Sequence, residues 1–218
     1  MSQIRTDLKI LVVGHSGAGK TSYVKRWTEN EFKQTYKPTV GSEFSHKIHE
    51  SNGNHYRIQL WDIGGQDKSS GIAKIFARDS HGCVVISDSM RMETLEDTLN
   101  WKKIISDETN FIDGEKLPFI LVQNKVDLIE NREDFQRIEN KTKEICENNS
   151  FEKYFMGSVK QNVNVDESMD YLIEKIIERM EKYALNGNDV FKERSQRNSI
   201  VITNENNKKR KKKKKKCC

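Results

Sequence analysis

The chain has 218 residues, which is enough for one domain with a substantial core and an additional segment. The net charge is +5, but all nine residues of 208–216 are Lys or Arg, so the rest of the chain has 29 basic and 33 acidic residues, a net charge of −4. An acidic body with a basic tip argues against nucleic acid as the partner and favours attraction of the tip to another anionic surface.

The cysteines and the apolar stretches indicate the compartment. Cys83 and Cys146 stand apart in the chain, Cys217 and Cys218 are its last two residues, and no spacing among the four resembles a metal site. Residues 1–9 do not have the pattern of a signal peptide, and no apolar stretch approaches the ~20 residues that a membrane span requires. We therefore expect a reducing, cytosolic setting in which membrane contact depends on modification.

Apolar runs and amphipathic stretches alternate along most of the chain, which predicts a largely parallel sheet covered by helices. Polarity alternates with a period of two on either side of residues 51–54, which predicts a hairpin and one antiparallel edge strand. Strands are expected at residues 8–13, 43–50, 55–61, 83–86 and 119–122, with another short strand before Gly157, and helices at 20–28, 94–106, 133–148 and 165–183. The predicted fold is an α/β fold with a six-stranded, mostly parallel sheet and helices on both faces.

The pattern of the folded part ends near residue 185. Residues 186–207 are polar apart from Ile200-Val201-Ile202, and this composition predicts a flexible linker. The basic run and the two final cysteines form a distinct tail, residues 208–218. We thus predict one domain over residues 1–185, a linker and a tail, and we assign no role to the short apolar group.

A glycine-rich loop follows the first predicted strand, and it matches the phosphate-binding pattern Gly-x-x-x-x-Gly-Lys-Ser/Thr at residues 14–21. Glycines let backbone N–H groups surround phosphate oxygens, the next helix directs its positive end at them, and Lys20 reaches the β and γ phosphates. The Thr21 hydroxyl is a suitable Mg²⁺ ligand. Nucleotide contacts are expected from Ser16, Gly17, Ala18, Gly19, Lys20, Thr21 and Ser22. This motif alone leaves an ATPase, a nucleotide kinase and a GTPase open.

The base is selected by Asn124-Lys125-Val126-Asp127, which follows another strand. The Asp127 carboxylate can accept hydrogen bonds from N1–H and the exocyclic amine of guanine, a donor pair that adenine lacks. Such a site favours guanine over adenine by on the order of 10⁴-fold, because adenine leaves a buried carboxylate unpaired. Asn124 is expected to brace neighbouring loops and Lys125 to lie along the base. The loop residues Ser158, Val159 and Lys160 are expected to present a backbone N–H to the guanine carbonyl.

These motifs, in this order, resemble those of Ras-superfamily GTPases over about residues 8–183, and the resemblance implies the three-layer P-loop NTPase fold. It identifies residues 61–66 as the second switch. There Asp62 holds Mg²⁺ through water, Gly65 senses the γ-phosphate and Gln66 orients the attacking water. It identifies residues 32–44 as the first switch. There Thr39 binds Mg²⁺ and the γ-phosphate, Phe32 packs on the guanine and Tyr36 closes over the phosphates.

The catalytic residues expected from the resemblance are Lys20, Thr39 and Gln66, with Mg²⁺ held through Thr21 and Thr39. No arginine finger is evident, so hydrolysis is expected to be slow without an activating protein. The γ-phosphate would order both switches and its loss would release them, so effectors would bind only one nucleotide state.

Within the superfamily, residues 40–44 and 58–61 are similar to the corresponding stretches of Rab proteins. Phe44, Trp61 and Phe76 would form the Rab aromatic triad. Ile63, together with residues 111–114 and 154–157, resembles the Rab subgroup of lysosome-related organelles and melanosomes. The resemblance implies GDP/GTP cycling that recruits effectors in vesicle or organelle traffic.

The sequence departs from the Rab pattern at four positions of the switches: Pro38, Ser42, Gly64 and Ser69. Gly64 stands where Rabs usually have alanine, and it adds backbone freedom beside Gly65 and Gln66. We therefore hypothesise weaker hydrolysis, which Gly64→Ala would reverse.

The Rab resemblance makes Cys217 and Cys218 geranylgeranylation sites. Two prenyl chains would dominate anchoring, at ~0.8 kcal/mol per buried CH₂, and each lysine near an anionic leaflet would add at most ~1 kcal/mol. The implied location is the cytosolic face of an intracellular membrane. The implied partners are effectors, an exchange factor, a GTPase-activating protein, a prenylation escort and a GDI-type extraction protein, and the chain is expected to be a monomer.

Two other classes of protein are alternatives to a Rab GTPase. A nucleotide-binding scaffold that barely hydrolyses GTP would not need Gln66. A nucleic-acid-associated protein would use the lysine run, which the acidic body argues against.

Overall fold

The computed structural model describes residues 4–34, 37–67 and 71–186. Tyr36, Ser69, the linker beyond residue 186 and the tail with Cys217 and Cys218 lie outside the described residues. Residues 1–177 form one compact unit. The described residues 178–186 belong to a second unit.

A six-stranded sheet forms the centre of the first unit, in the order β2-β3-β1-β4-β5-β6. Five strands run parallel to one another, and the edge strand β2 pairs antiparallel with β3. The strands are β1 (Ile4–Gly14), β2 (Ser42–Ser51), β3 (Asn54–Ile63), β4 (Gly82–Asp88), β5 (Phe119–Asn124) and β6 (Lys153–Met156). The predicted mixed sheet with one antiparallel edge strand is therefore confirmed.

Five α-helices flank the sheet in the described part of the chain: α1 (Lys20–Glu29), α2 (Ile72–Ala77), α3 (Met92–Ser106), α4 (Arg132–Asn148) and α5 (Val165–Leu185). A 3₁₀ helix at Val126–Leu128 follows β5. Every residue of β4 and β5 is buried, which is the pattern of central parallel strands that are covered on both faces. In contrast, β2 exposes about every second residue, as an edge strand does.

The core of this unit consists of the central strands and the apolar face of α5. Residues from Leu8 to Val13, apart from Lys9, are fully buried in β1. The buried side chains that α5 contributes are Met169, Leu172, Ile173, Ile176 and Ile177. Gly82 begins β4 directly under this helix, since a Cβ added there would lie 2.7 Å from Ile176 Cδ1. The absence of a side chain at Gly82 thus lets helix and sheet approach closely.

The sequence did not predict α2 or the 3₁₀ helix. With six residues, α2 is too short to show a clear apolar period. The predicted α1, α3, α4 and α5 begin within two residues of their observed starts, because each carries an amphipathic pattern over several turns.

Candidate nucleotide-binding site

Because β1, β3, β4, β5 and β6 are parallel, the loops that follow them meet at one edge of the sheet. A cavity of about 1200 Å³ opens there. Most of the predicted nucleotide-binding and catalytic residues line it: Ser16, Gly17, Gly19, Lys20, Thr21, Ser22, Phe32, Thr39, Gly65, Gln66, Asn124, Lys125, Asp127, Val159 and Lys160. The other described ones, Ala18, Asp62 and Ser158, are buried. Residues as far apart in the chain as Ser16 and Lys160 thus surround one cleft.

The loop after β1 turns sharply at glycines. Gly14 has a φ of +141°, and a Cβ there would collide with the Ile86 carbonyl oxygen of the neighbouring strand β4. Gly19 has a φ of +101° and caps the first turn of α1 without a side-chain hydrogen bond to it. The first N–H groups of α1 therefore remain available to an anion in the cavity.

Lys20 lies at the base of this loop and is 6% exposed. Its Nζ donates a hydrogen bond to the His15 carbonyl oxygen at 3.0 Å, so the side chain reaches back across the loop to its beginning. Burial lowers the pKa of Lys20, and attraction by Asp62 opposes this effect. A phosphate in the cavity would add to the negative charge that Asp62 provides for this buried ammonium.

Three oxygen-bearing side chains converge beside Lys20. The Oγ1 atoms of Thr21 and Thr39 are 2.8 Å apart, and Thr21 also donates a hydrogen bond to Asp62 Oδ2. Asp62 is 1% exposed, and its Oδ1 is buried without a hydrogen-bond partner. Burial raises the pKa of Asp62 to about 6, despite the hydrogen bond from Thr21 and the charge of Lys20. An orphaned carboxylate oxygen among hydroxyls is the oxygen-only set that Mg²⁺ prefers, so the residues present fit this ion.

The two switches contact each other directly. The Gly64 amide donates to the Gly41 carbonyl at 2.8 Å, and the Gly41 amide donates to Asp67 Oδ2 at 3.0 Å. Gly65 lies against the phosphate loop, since a Cβ there would be 2.6 Å from Ser16 Cα. Gln66 is exposed at the mouth of the cavity. The structure therefore holds the first switch, the second switch and the phosphate loop together.

Asn124 and Asp127 shape the other end of the cavity. The Asn124 side chain donates to the Ala18 carbonyl at 2.8 Å and accepts from the Val159 amide at 3.0 Å, so it links the phosphate loop to the loop after β6. Asp127 accepts from Ser158 Oγ at 2.6 Å, and only 5% of its side chain is exposed. The carboxylate is thus held in one orientation by the serine that follows Gly157.

Phe32 and Arg26 close the same end. Phe32 lines the cavity, with the Arg26 guanidinium 5.8 Å from its ring centroid. Arg26 Nε donates to the Val159 carbonyl at 3.0 Å, so α1 also supports the loop after β6. Tyr36, which was expected to close over the phosphates, lies outside the described residues.

Asp88 and Arg91 lie at the cavity, and neither was among the sequence-predicted site residues. Asp88 is the last residue of β4, and its Oδ2 accepts from Arg91 Nε at 3.0 Å and Lys125 Nζ at 2.8 Å. Arg91 lines the cavity. The one signal in the sequence was position, because charged residues directly after a buried parallel strand lie at the edge where ligands bind.

The expected aromatic triad is present as a row of packed rings. The Phe44 and Trp61 centroids are 5.3 Å apart, and those of Trp61 and Phe76 are 4.9 Å apart. Phe44 is 51% exposed, and the nearby switch residue Val40 is 91% exposed. Together with Ile75 of α2, which is 65% exposed, they place apolar side chains on the surface at the first switch and beside the second.

Residues 9–178 match the model of the Ras family, which covers most of the chain and all of the loops described above. The chain belongs to the Ras family. Within it, the similar proteins include Ras-related protein Rab-32C of Dictyostelium discoideum, 36% identical over 79% of this chain and 74% of that protein. Human Ras-related protein Rab-32 is 30% identical over 90% of this chain and 86% of its own length. Ras-related protein Rab-7L1 of Rattus norvegicus is 33% identical over 88% and 90%.

These relatives make the chain a Rab GTPase related to the Rab-32 subgroup, as the sequence predicted. It hydrolyses GTP and acts in membrane traffic, as Rab proteins do. Ras-family GTPases bind GTP and GDP, typically with Mg²⁺, and Rab proteins associate peripherally with membranes and work with effectors and regulators. Within the described residues of this Rab, no helix is both long and apolar enough to cross a bilayer.

Proposed function

We propose that this Rab binds GTP and GDP with Mg²⁺ in the cavity at the carboxyl edge of its sheet, and that Lys20, Thr39 and Gln66 carry out hydrolysis. The observation that carries the proposal is the meeting of the Thr21 and Thr39 hydroxyls with buried Asp62, whose Oδ1 has no hydrogen-bond partner. Such an oxygen is costly to bury unless a cation or a donor meets it. A bound Mg²⁺ would neutralise charge on the phosphates.

Each proposed role is supported by the position of its residue in this chain. Lys20 is held at the phosphate loop by its hydrogen bond to the His15 carbonyl, and its ammonium group is proposed to bind the β and γ phosphates. Thr39 brings the first switch onto Thr21, and Gly65 brings the second switch onto the phosphate loop. Gln66 is the exposed amide at the mouth, where it would orient the attacking water.

Guanine selection is proposed to rest on Asp127, supported by Asn124 and the backbone of Ser158, Val159 and Lys160. The Asp127 carboxylate is almost buried and is oriented by Ser158. Two hydrogen bonds from guanine to such a carboxylate favour guanine over adenine by on the order of 10⁴-fold. Lys125 is proposed to lie along the base while its ammonium group contacts Asp88.

The test is nucleotide binding by the purified full chain, measured by fluorescence titration with labelled GDP in Mg²⁺ and again in excess chelator. We expect Thr21→Ala to lose the difference between the two conditions and Asp127→Ala to weaken GDP binding by about 10³-fold. Thr28→Ala is the matched control, because Thr28 lies on the same helix and its hydroxyl donates to the Val24 carbonyl. Equal affinity for ADP and GDP in the unaltered chain would refute the proposal.

We further propose a lipid anchor on Cys217 and Cys218, assisted by the basic residues 208–216. These residues lie outside the described part of the chain, so the proposal is supported by sequence and by membership of the Rab group alone. Incubation with prenyl transferase, escort protein and geranylgeranyl diphosphate should move the full chain into the detergent phase. We expect Cys217→Ser with Cys218→Ser to abolish this shift and Cys146→Ser to leave it unchanged. A shift that survives the double substitution would contradict the anchor.

The anchored protein is proposed to act on the cytosolic face of an intracellular membrane as a monomer. Effectors are proposed to bind the surface of Phe44, Trp61 and Phe76, where the rings and Val40 provide exposed apolar area beside both switches. An exchange factor, a GTPase-activating protein, a prenylation escort and a GDI-type extraction protein are the regulators that a Rab requires.

A further inference from the structure

Asp88, at the carboxyl end of β4, is a buried anion with several donors around it. It is 2% exposed, and its Oδ2 accepts from Lys125 Nζ at 2.8 Å and Arg91 Nε at 3.0 Å. Its Oδ1 accepts from the Met90 amide at 3.0 Å. Burial alone would raise the pKa of Asp88, but these hydrogen bonds outweigh burial and lower it. Asp88 is therefore a fixed negative charge that orients both cations.

Arg91 extends from this anion to the phosphate loop. Its Nη2 donates a hydrogen bond to the Ser16 carbonyl at 2.9 Å, 75 positions away in the chain. The guanidinium also lies over Gly17, where an added Cβ would be 3.3 Å from Nη2. Gly17 has a φ of +76°, so the arginine contacts the loop at its left-handed turn. One planar group thus joins Asp88 to the middle of the phosphate loop.

The same carboxylate binds Lys125 of the base-recognition motif. The chain of contacts from Ser16 to Arg91, Asp88 and Lys125 therefore connects the two ends of the nucleotide cavity through four residues. A forked guanidinium can serve a carboxylate and a carbonyl at once with separate N–H groups, whereas an ammonium is a single point charge on a flexible stem. The bridge depends on arginine for this reason.

We infer that Arg91, oriented by Asp88, is a positioning residue that ties the phosphate loop to the base-recognition motif and slows nucleotide release. This inference rests on the proposed nucleotide site. Release requires the loop around the phosphates and the motif around the base to loosen together. A bond between them must break in that opening, so it retards escape without taking part in the chemistry of hydrolysis.

The experiment measures dissociation of fluorescent GDP from the full chain in Mg²⁺ with excess unlabelled GDP. Arg91→Ala should release GDP about tenfold faster, which corresponds to one charge-assisted hydrogen bond of about 1.4 kcal/mol. Arg91→Lys keeps the positive charge beside Asp88 but lacks the fork, so it should release nearly as fast as Arg91→Ala. Single-turnover hydrolysis of preloaded GTP is measured on the same variants, so that the change in release is compared with any change in the chemical step.

The matched control is Arg137→Ala. Arg137 makes the same type of contact with a carboxylate three positions earlier, since its Nη2 is 2.6 Å from Asp134 Oδ1, but both side chains are on the surface of α4. Its release rate should equal that of the unaltered chain. If Arg91→Ala does not fold, Arg91→Gln provides the same test with a polar side chain of similar length.

Two results would overturn the inference: release from Arg91→Ala at the unaltered rate, with or without a loss of hydrolysis, or full rescue by Arg91→Lys. Rescue by lysine would mean that charge alone matters. Failure of the proposed site is distinguishable, because then the unaltered chain itself would not retain GDP in preference to ADP.

Discussion

Gly64, in the second switch, is the position where a single methyl group should reveal how closely the two switches pack. A Cβ added there would lie 2.7 Å from the Thr39 carbonyl oxygen and 3.2 Å from the Gly41 carbonyl oxygen, and it would collide with Asp67 Oδ2. The Asp67 carboxylate can rotate away, but the Thr39 carbonyl is backbone. Gly64→Ala should therefore push the first switch, including Thr39, away from Thr21.

The size of the effect follows from the strain. Extra methyl groups in close-packed positions typically cost about 1–3 kcal/mol, and about 1.4 kcal/mol of barrier changes a rate tenfold. Separation would also break the hydrogen bond from the Gly64 amide to the Gly41 carbonyl, which is 2.8 Å long. We expect single-turnover GTP hydrolysis to slow about tenfold, since Thr39 is a proposed ligand of both Mg²⁺ and the γ-phosphate.

The assay is phosphate release from chain preloaded with GTP, started by Mg²⁺. The control is Gly53→Ala in the β2–β3 hairpin, where φ is +73° but nothing lies within 4 Å of the added Cβ. That change should destabilise the fold by about 1 kcal/mol and leave hydrolysis unchanged, so it separates local displacement from general loss of stability.

Hydrolysis in Gly64→Ala that equals or exceeds the unaltered rate would refute the steric argument. Faster hydrolysis is the result that the sequence alone predicts, because alanine restricts the backbone beside Gln66. The double substitution Gly64→Ala with Asp67→Ala identifies the obstacle. If the hydrolysis rate recovers, the Asp67 carboxylate alone caused the steric clash. We expect hydrolysis to stay slow, because the Thr39 carbonyl still clashes with the added methyl group.

Three further substitutions test the core and the edge of the sheet. Ser87 donates to Gln123 Oε1 between β4 and β5, and Ser87→Ala should lower the free energy of unfolding by about 1–3 kcal/mol in urea titrations, because it leaves a buried amide oxygen unpaired. Tyr23 contacts Ser168 Oγ at 2.7 Å from α1, and burial raises the pKa of its hydroxyl. Tyr23→Phe should cost about 1 kcal/mol in the same titration, and no loss would mean that this bond is not net stabilising. Asp88→Asn should lower the free energy of unfolding by about 1–3 kcal/mol at pH 7. Because its hydrogen bonds lower the pKa of Asp88, that difference should be complete above pH ~4 and should shrink as the pH falls through the folded-state value.

The strands and long helices could be predicted because their signals are local. The apolar runs at residues 8–13 and 119–122 lie within β1 and β5, and pairing in the parallel ladder extends those strands to Gly14 and Asn124. Helix α2 escaped prediction because its six residues take their conformation from packing beside the second switch rather than from a periodic pattern.

The motif residues could also be predicted, because each motif is a contiguous loop after a strand and its chemistry can be recognised one residue at a time. The phosphate loop and the residues after β5 are of this kind. Arg91 could not be found in this way, because its role depends on a carbonyl 75 positions away. The same limit applies to Gly64. The residue type alone suggests backbone freedom, whereas the structure shows that the first switch packs closely against this position.

By itself, the sequence determined the succession of strands and helices along the chain and the family, and it is the source of the proposed phosphate-binding and base-selecting groups. Only the tertiary structure decided that Thr21, Thr39 and Asp62 meet with one carboxylate oxygen unpaired, that Gly64 lies against the Thr39 carbonyl, and that Arg91 joins Asp88 to the phosphate loop. The physical reason is the distance along the chain between the residues that interact. Local motifs carry their chemistry in adjacent residues, whereas distances between loops depend on how every strand and helix packs.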